Sequence, residues 1–252
     1  MPRPATAASA RSAAAARLGT GPGTGCAGAE VLYALEDPFS LLVLALSFLT
    51  ASVLAGWTSA LLAARAGETH LRAEGRLRPD PRRHVDPFGA VAAVLSGLGW
   101  PRPVPVPRAP RGQLLRVTLA GPLLLLAVGA GLLVGFALVE GPVAGASTVL
   151  LKTGVTGGGL LPRALLLSGL MHLFVGLLCL VPLPPMPGGQ LLFGLAPRTR
   201  GWQQAETYLV ERNLGVVAVL VLLLFSLGGP QPLLLAVLTA VGRPLVALVT
   251  GA

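Results

Sequence analysis

Three histidines, two cysteines and a few carboxylates are the side chains here that could bind a metal or move a proton near neutral pH. His70 lies between Glu68 and Glu74, and His84 shares a short run with Asp86. His172 and Cys179 are seven residues apart in an apolar stretch, which puts them on one face of a helix. Joined with His84, they are the one set from which a displaced zinc site could be assembled. The ordinary readings are stronger: a solvated His70, and a buried, hydrogen-bonded His172. Cys26 sits in a polar tail far from Cys179, so neither a disulfide framework nor a CxxC metal spacing is present. The serines of the apolar stretches (Ser40, Ser47, Ser52, Ser59, Ser168) have no base at a spacing that would activate them, and Lys152 reads as solvated.

The elements that must carry these residues are membrane elements. Mean hydropathy is +0.74. Charged residues are 12% of the 252, against about a quarter in a soluble domain. The fold expected is an all-α integral membrane protein of about five transmembrane helices. Apolar runs at 38–64, which is uncharged, 114–139 and 161–183 are each long enough to cross a bilayer. Two shorter runs, 214–227 and 232–249, read as a helical hairpin or one broken helix. The apolar piece 88–98 is too short to span, and both a re-entrant and an interfacial placement stay open for it. The Ala/Arg/Ser-biased start, 1–38, has no apolar signal core and reads as a disordered tail. Residues 39–195 form the expected membrane core, 140–160 a Gly-rich loop within it, and 196–252 a cytoplasmic segment followed by the hairpin. Gly131 and Gly135 are spaced for close helix packing.

Eighteen of the 19 basic residues are arginine, and ten of the 19 fall in 65–116, a Pro/Arg-rich, partly extended loop between the first and second spans. The positive-inside rule places that loop in the cytoplasm and the protein in the cell membrane as a multi-pass chain. It accounts for the net charge of +9 without nucleic acid, and the bilayer is the partner that composition implies. Arg163, at the start of the third span, departs from this distribution. A transporter or channel would carry ionisable residues within its spans, which here are nearly charge-free.

Three stretches, in order, carry a resemblance. They are GRLRPDPRRHVDPFG (75–89), GWPRPVPVP (99–107) with LAGP (119–122), and VPLPPMPGG (181–189). Together they resemble the compact bacterial branch of the site-2 protease family, intramembrane zinc metalloproteases that cleave membrane-embedded segments. In that family a helix carries H-E-x-x-H, two zinc-binding histidines and a general base, and a PPxDGG stretch supplies a third ligand. The resemblance puts Ala55 and Ser59 at the histidine positions, Gly56 at the glutamate and Pro187 at the aspartate. No histidine occurs before His70. The expectation is a degenerate member without zinc or other cofactor, a pseudoprotease that holds or regulates membrane segments of single-pass proteins or competes with an active paralogue. The alternative is an active zinc enzyme with an atypical site. The resemblance also implies an extended, substrate-pairing stretch, with Gly75, Arg76, Leu77, Pro103, Val104 and Pro105 as groove candidates.

Overall fold

The structure, a computed structural model, describes residues 37–104, 110–140, 159–197, 199–226 and 231–250. The expected tail, Cys26, Pro105, Lys152 and most of the Gly-rich loop lie outside these residues. Among them the chain is helical, with one isolated antiparallel bridge and no strand.

Four helices are long and apolar enough to cross a membrane: α1 (Pro38–Arg65), α5 (Arg111–Glu140), α6 (Leu160–Leu180) and α10 (Leu233–Thr250). The short helices are α2 (His70–Ala73), α3 (Pro81–His84), α4 (Pro87–Ser96), α7 (Pro187–Leu195), α8 (Arg200–Glu206) and α9 (Leu214–Leu224). A π-helical turn, Thr207–Glu211, extends α8, and the chain then bends by 70° into α9. Counting that bent pair as one gives a fifth span. The last two apolar runs are therefore two helices packed on each other, and α9, at 11 residues or about 16 Å, is too short to cross alone.

Helix α6 is the centre of the bundle. It is apolar on every side, and 72% of its spanning stretch is buried against α1, α5 and α10, whereas α5 buries 28%. The rest of α5 presents apolar side chains such as Leu123 and Leu138 outward, as a lipid-facing helix must. Gly135 of α5 packs near the Leu165 side chain of α6, while Gly131 faces open space. The chain is thus a multi-pass membrane protein.

At one end of the bundle Asp37, just before α1, forms an ion pair with Arg163 in the first turn of α6, and the same guanidinium lies 5.8 Å from the centre of the Phe39 ring. The beginnings of α1 and α6 therefore share one side, and the arginine that departs from the charge distribution has a local partner.

Between α1 and α5 the chain is less extended than expected. Gly75 takes a positive φ of 69°, and hydrogen bonds from Gly75 N to Arg72 O, Arg76 N to Leu71 O and Arg78 N to Gly75 O close residues 75–77 into a turn. Extended backbone occurs at Asp80, Val85 and Asp86, and Val85 forms a bridge with Pro101.

Candidate functional site

Ala55, Gly56 and Ser59 lie in the second half of α1, and all three are buried. Two neighbours close around them. On one side the backbone of α5 comes in at Gly121: a Cβ there would stand 2.7 Å from the Ala55 carbonyl and 3.0 Å from Ser59 Oγ, so any larger residue would force the helices apart. On the other side the His84 ring from α3 lies on Gly56, where a Cβ would stand 2.6 Å from Nδ1. The imidazole occupies the room beside a residue that has no side chain of its own.

His84 is held there from behind. Its Nε2–H donates to the Arg78 carbonyl at 2.9 Å, which leaves Nδ1 as the unprotonated nitrogen of the neutral ring. Burial pushes its pKa down; the Arg78 carbonyl bond works against this, nearby Arg76 adds to it, and Asp80 opposes it. Three fully buried polar atoms, His84 Nδ1, Ser52 Oγ one turn before Gly56, and Trp100 Nε1, have no hydrogen-bond partner among the described residues.

Pro187 is the first residue of α7, immediately after Pro184, Pro185 and Met186, and the backbone of Gly188 packs on the end of α6 and that of Gly189 on Leu183 and Pro184. The proline supplies the fixed φ that starts this helix and has no atom to offer a ligand. A catalytic zinc takes three protein ligands and keeps one position open. At the three positions the resemblance assigns to these ligands stand a methyl group, a neutral hydroxyl against Gly121 and a proline ring, and the general-base position, Gly56, has no side chain. The residues present do not fit a zinc ion.

The displaced set fares no better. His84 sits on Gly56 of α1. His172, on α6, donates from Nδ1 to its own helix's Ser168 carbonyl at 2.8 Å and meets Thr50 Oγ1 with Nε2 at 3.3 Å. Cys179 is buried two turns further along. Among the described residues no group of three or more His, Cys, Asp or Glu side chains is placed to hold a metal ion. His70 instead pairs with Glu68 at 3.3 Å, half out in solvent.

The groove candidates are engaged within the loop itself. Arg76 is buried, with Nη1 on the Pro103 carbonyl at 2.9 Å and Nη2 on the Arg102 carbonyl at 3.0 Å. Burial lowers its pKa, Glu74 counters this and Arg102 reinforces it. Arg102 N–H donates to the His84 carbonyl at 2.7 Å. Pro101 and Pro103 have no N–H, and Val104 is buried. The Arg102 N–H and the Arg102 and Pro103 carbonyls thus have partners within the chain. Leu77 is tied back by its carbonyl, which accepts from Trp57 Nε1 at 2.9 Å.

One arrangement went unread in the sequence. Ser47 Oγ donates to Ser168 Oγ at 2.8 Å, and Thr50 donates to the Ser47 carbonyl at 3.0 Å beside His172. These four residues form a polar seam between α1 and α6. Its signal was available, since Ser47 and Thr50 are three apart, as are neighbours on one helical face.

Apolar spans packed around one buried helix, with short loop helices folded against them, define a multi-pass α-helical membrane protein. Over 187 residues the chain is 32% identical to "Putative zinc metalloprotease YwhC" of Bacillus subtilis (strain 168), a match covering 67% of this chain and 74% of that protein. The chain belongs to the family of that protein, a site-2-protease-like family. No family model matches the chain, and no solved structure matches it.

Proposed function

We propose that this chain is a catalytically inactive member of its family, a pseudoprotease that keeps the membrane scaffold and acts by associating with membrane segments of other proteins. One observation carries the reading. The stretch of α1 that the resemblance assigns to zinc binding offers no ligand set, and its two open sides are filled, by the Gly121 backbone and by the His84 ring. Water activation at a metal needs donors that hold the ion with a position left free. Here the side chains have neither the donors nor the room.

A scaffold without chemistry can still bind. The spans leave large apolar side chains facing lipid, among them Leu42 and Leu46 on α1. Packing of another helix in the bilayer asks only for surface fit and a few polar contacts. The residues at 101–104 are committed to Arg76 and His84, so the partner is expected at the helical surface rather than by strand addition.

The test is photo-crosslinking from Leu42 and Leu46 in native membranes, followed by identification of the adducts. Single-pass proteins recovered intact and in defined ratio support the reading. Recovery of cleaved partners, with cleavage stopped by a chelator, contradicts the inactive assignment. Recovery of lipid adducts alone contradicts the binding role.

A further inference from the structure

After Arg212 the chain carries one charged residue, Arg243, and it stands inside α10. Its side chain is exposed, and among the described residues it has no ion pair, hydrogen bond or ring contact. The neighbouring residue fixes its depth. Gly242 packs on the Phe174 ring of α6, where a Cβ would stand 2.8 Å from Cζ. Phe174 lies six residues, about 9 Å, before the end of α6 at Leu180 and fourteen residues, about 21 Å, after its start at Leu160. Within α10 itself, Arg243 is ten residues from Leu233 and seven from Thr250. The guanidinium is therefore attached inside the apolar layer and not at its edge.

The strip around it faces outward. Leu233, Val237, Val241 and Leu248 are exposed, and Ala240 and Pro244 lie exposed among them. The opposite face is packed, with Leu234, Leu238, Gly242 and Val246 buried. Pro244 has no N–H, so the Ala240 carbonyl loses the donor that a helix supplies four residues on. A cation and a carbonyl short of its donor thus share one outward strip, and hydrocarbon satisfies neither.

Two occupants fit poorly. The first is a headgroup phosphate. Helix α9 begins beside the end of α6, where a Cβ on Gly215 would stand 2.5 Å from the Pro184 carbonyl oxygen. Counted with α8 as one span, α9 leads the chain inward from there, and α10 is the span that brings it back. Helical side chains lean toward the N-terminus of their helix. Arg243 therefore leans toward the middle of the layer, away from the headgroups nearest to it. The second is another copy of this chain. No carboxylate lies within α1, α6, α9 or α10, and α5 has one only at its last residue, Glu140. A second copy offers Arg243 no counter-charge at its depth.

We propose that the exposed strip of α10 docks a transmembrane helix of another protein, one that carries an aspartate or glutamate at the depth of Arg243. The partner's carboxylate accepts two hydrogen bonds from the guanidinium. The small Ala240, with Val237 and Val241, lets the two helices approach around that pair. The inference rests on the reading that this chain associates with membrane segments, and it does not need the zinc site to be vacant.

Photo-crosslinking residues placed singly at Val237 and Val241 of the full chain, in native membranes, test it. The expected adduct is a protein whose membrane span contains an acidic residue. Arg243→Leu is expected to cut the yield of that adduct about ten-fold or more. The unfolding midpoint of Arg243→Leu in detergent should not fall, because leucine suits a lipid-facing position. Arg243→Asp should lose the adduct as well, and arginine at the partner's acidic position should then restore it. Adducts with lipid alone, adducts with a second copy alone, a yield that Arg243→Leu leaves unchanged, or an exchange of charges that restores nothing would each overturn the proposal. Such a failure with the adducts from Leu42 and Leu46 intact removes this surface only; their loss as well removes the binding role.

Discussion

His84 shows how a single residue can define what a site does. Its ring lies on the bare backbone of Gly56, with its outer nitrogen bonded to Arg78 O and its inner nitrogen unpaired. Burial depresses its pKa, so the folded protein holds the neutral form at pH values where the unfolded chain, with an ordinary value of about 6.5, takes up a proton. The unfolded state then binds more protons, and stability falls with pH below that point. The unfolding midpoint in detergent should hold above about pH 7 and drop as the pH is lowered through about 6. His84→Gln should flatten that drop, and an unchanged slope in the variant would show that the titration lies elsewhere. Gly56→Ala should cost about 1–3 kcal/mol, read from the same melts, because the added methyl overlaps the ring. The sequence did show which residue types stand at 55, 56, 59 and 187. It could not show that His84, 28 positions beyond Gly56, fills the space, because that depends on how α3 folds back on α1.

At the scale of elements, two small devices hold the pieces together. Arg76 ties the turn after α2 to the extended residues 102 and 103. Arg76→Ala would leave both carbonyls unpaired, at about 2 kcal/mol or more, and should speed proteolysis between 101 and 111 well before the bundle melts. Equal cutting rates in the two proteins would show that the tie is dispensable. The seam between α1 and α6 should be weaker. Hydrogen bonds between membrane helices average about 0.6 kcal/mol, so His172→Leu is expected to lower stability by about 1 kcal/mol or less in detergent titrations. A loss several times larger would mark His172 as more than a structural contact. The long spans were legible because twenty uncharged apolar residues have few alternatives. The turn at 75–77 was not, since a glycine followed by arginine and leucine reads equally well as extended until its φ is known. The last two apolar runs are two helices in contact, as a hairpin requires, and what the sequence did not show is the 70° bend before α9, which falls at Asn213, a non-glycine residue at φ 56°.

The molecule as a whole combines membership of a site-2-protease-like family with the residues Ala55, Gly56, Ser59 and Pro187 at the positions the resemblance assigns to its chemistry. Helices α1 and α6 begin at the same end of the bundle, where Asp37 pairs with Arg163, and α5 packs against both. Each layer agrees with the next: apolar length sets the spans, the arginines gather in the loop between α1 and α5, and small residues set how closely α1 and α5 approach. What the sequence left open at this scale was where the remaining histidines lie: His84 rests on Gly56, and His172 meets Ser168 and Thr50. The most direct measurement is metal content of the purified full chain by mass spectrometry, after exposure to zinc and exhaustive dialysis. The account predicts zinc far below one ion per chain, unchanged by His84→Gln. One tightly held zinc per chain, lost together with hydrolysis of a membrane-embedded peptide on adding a chelator, would contradict it.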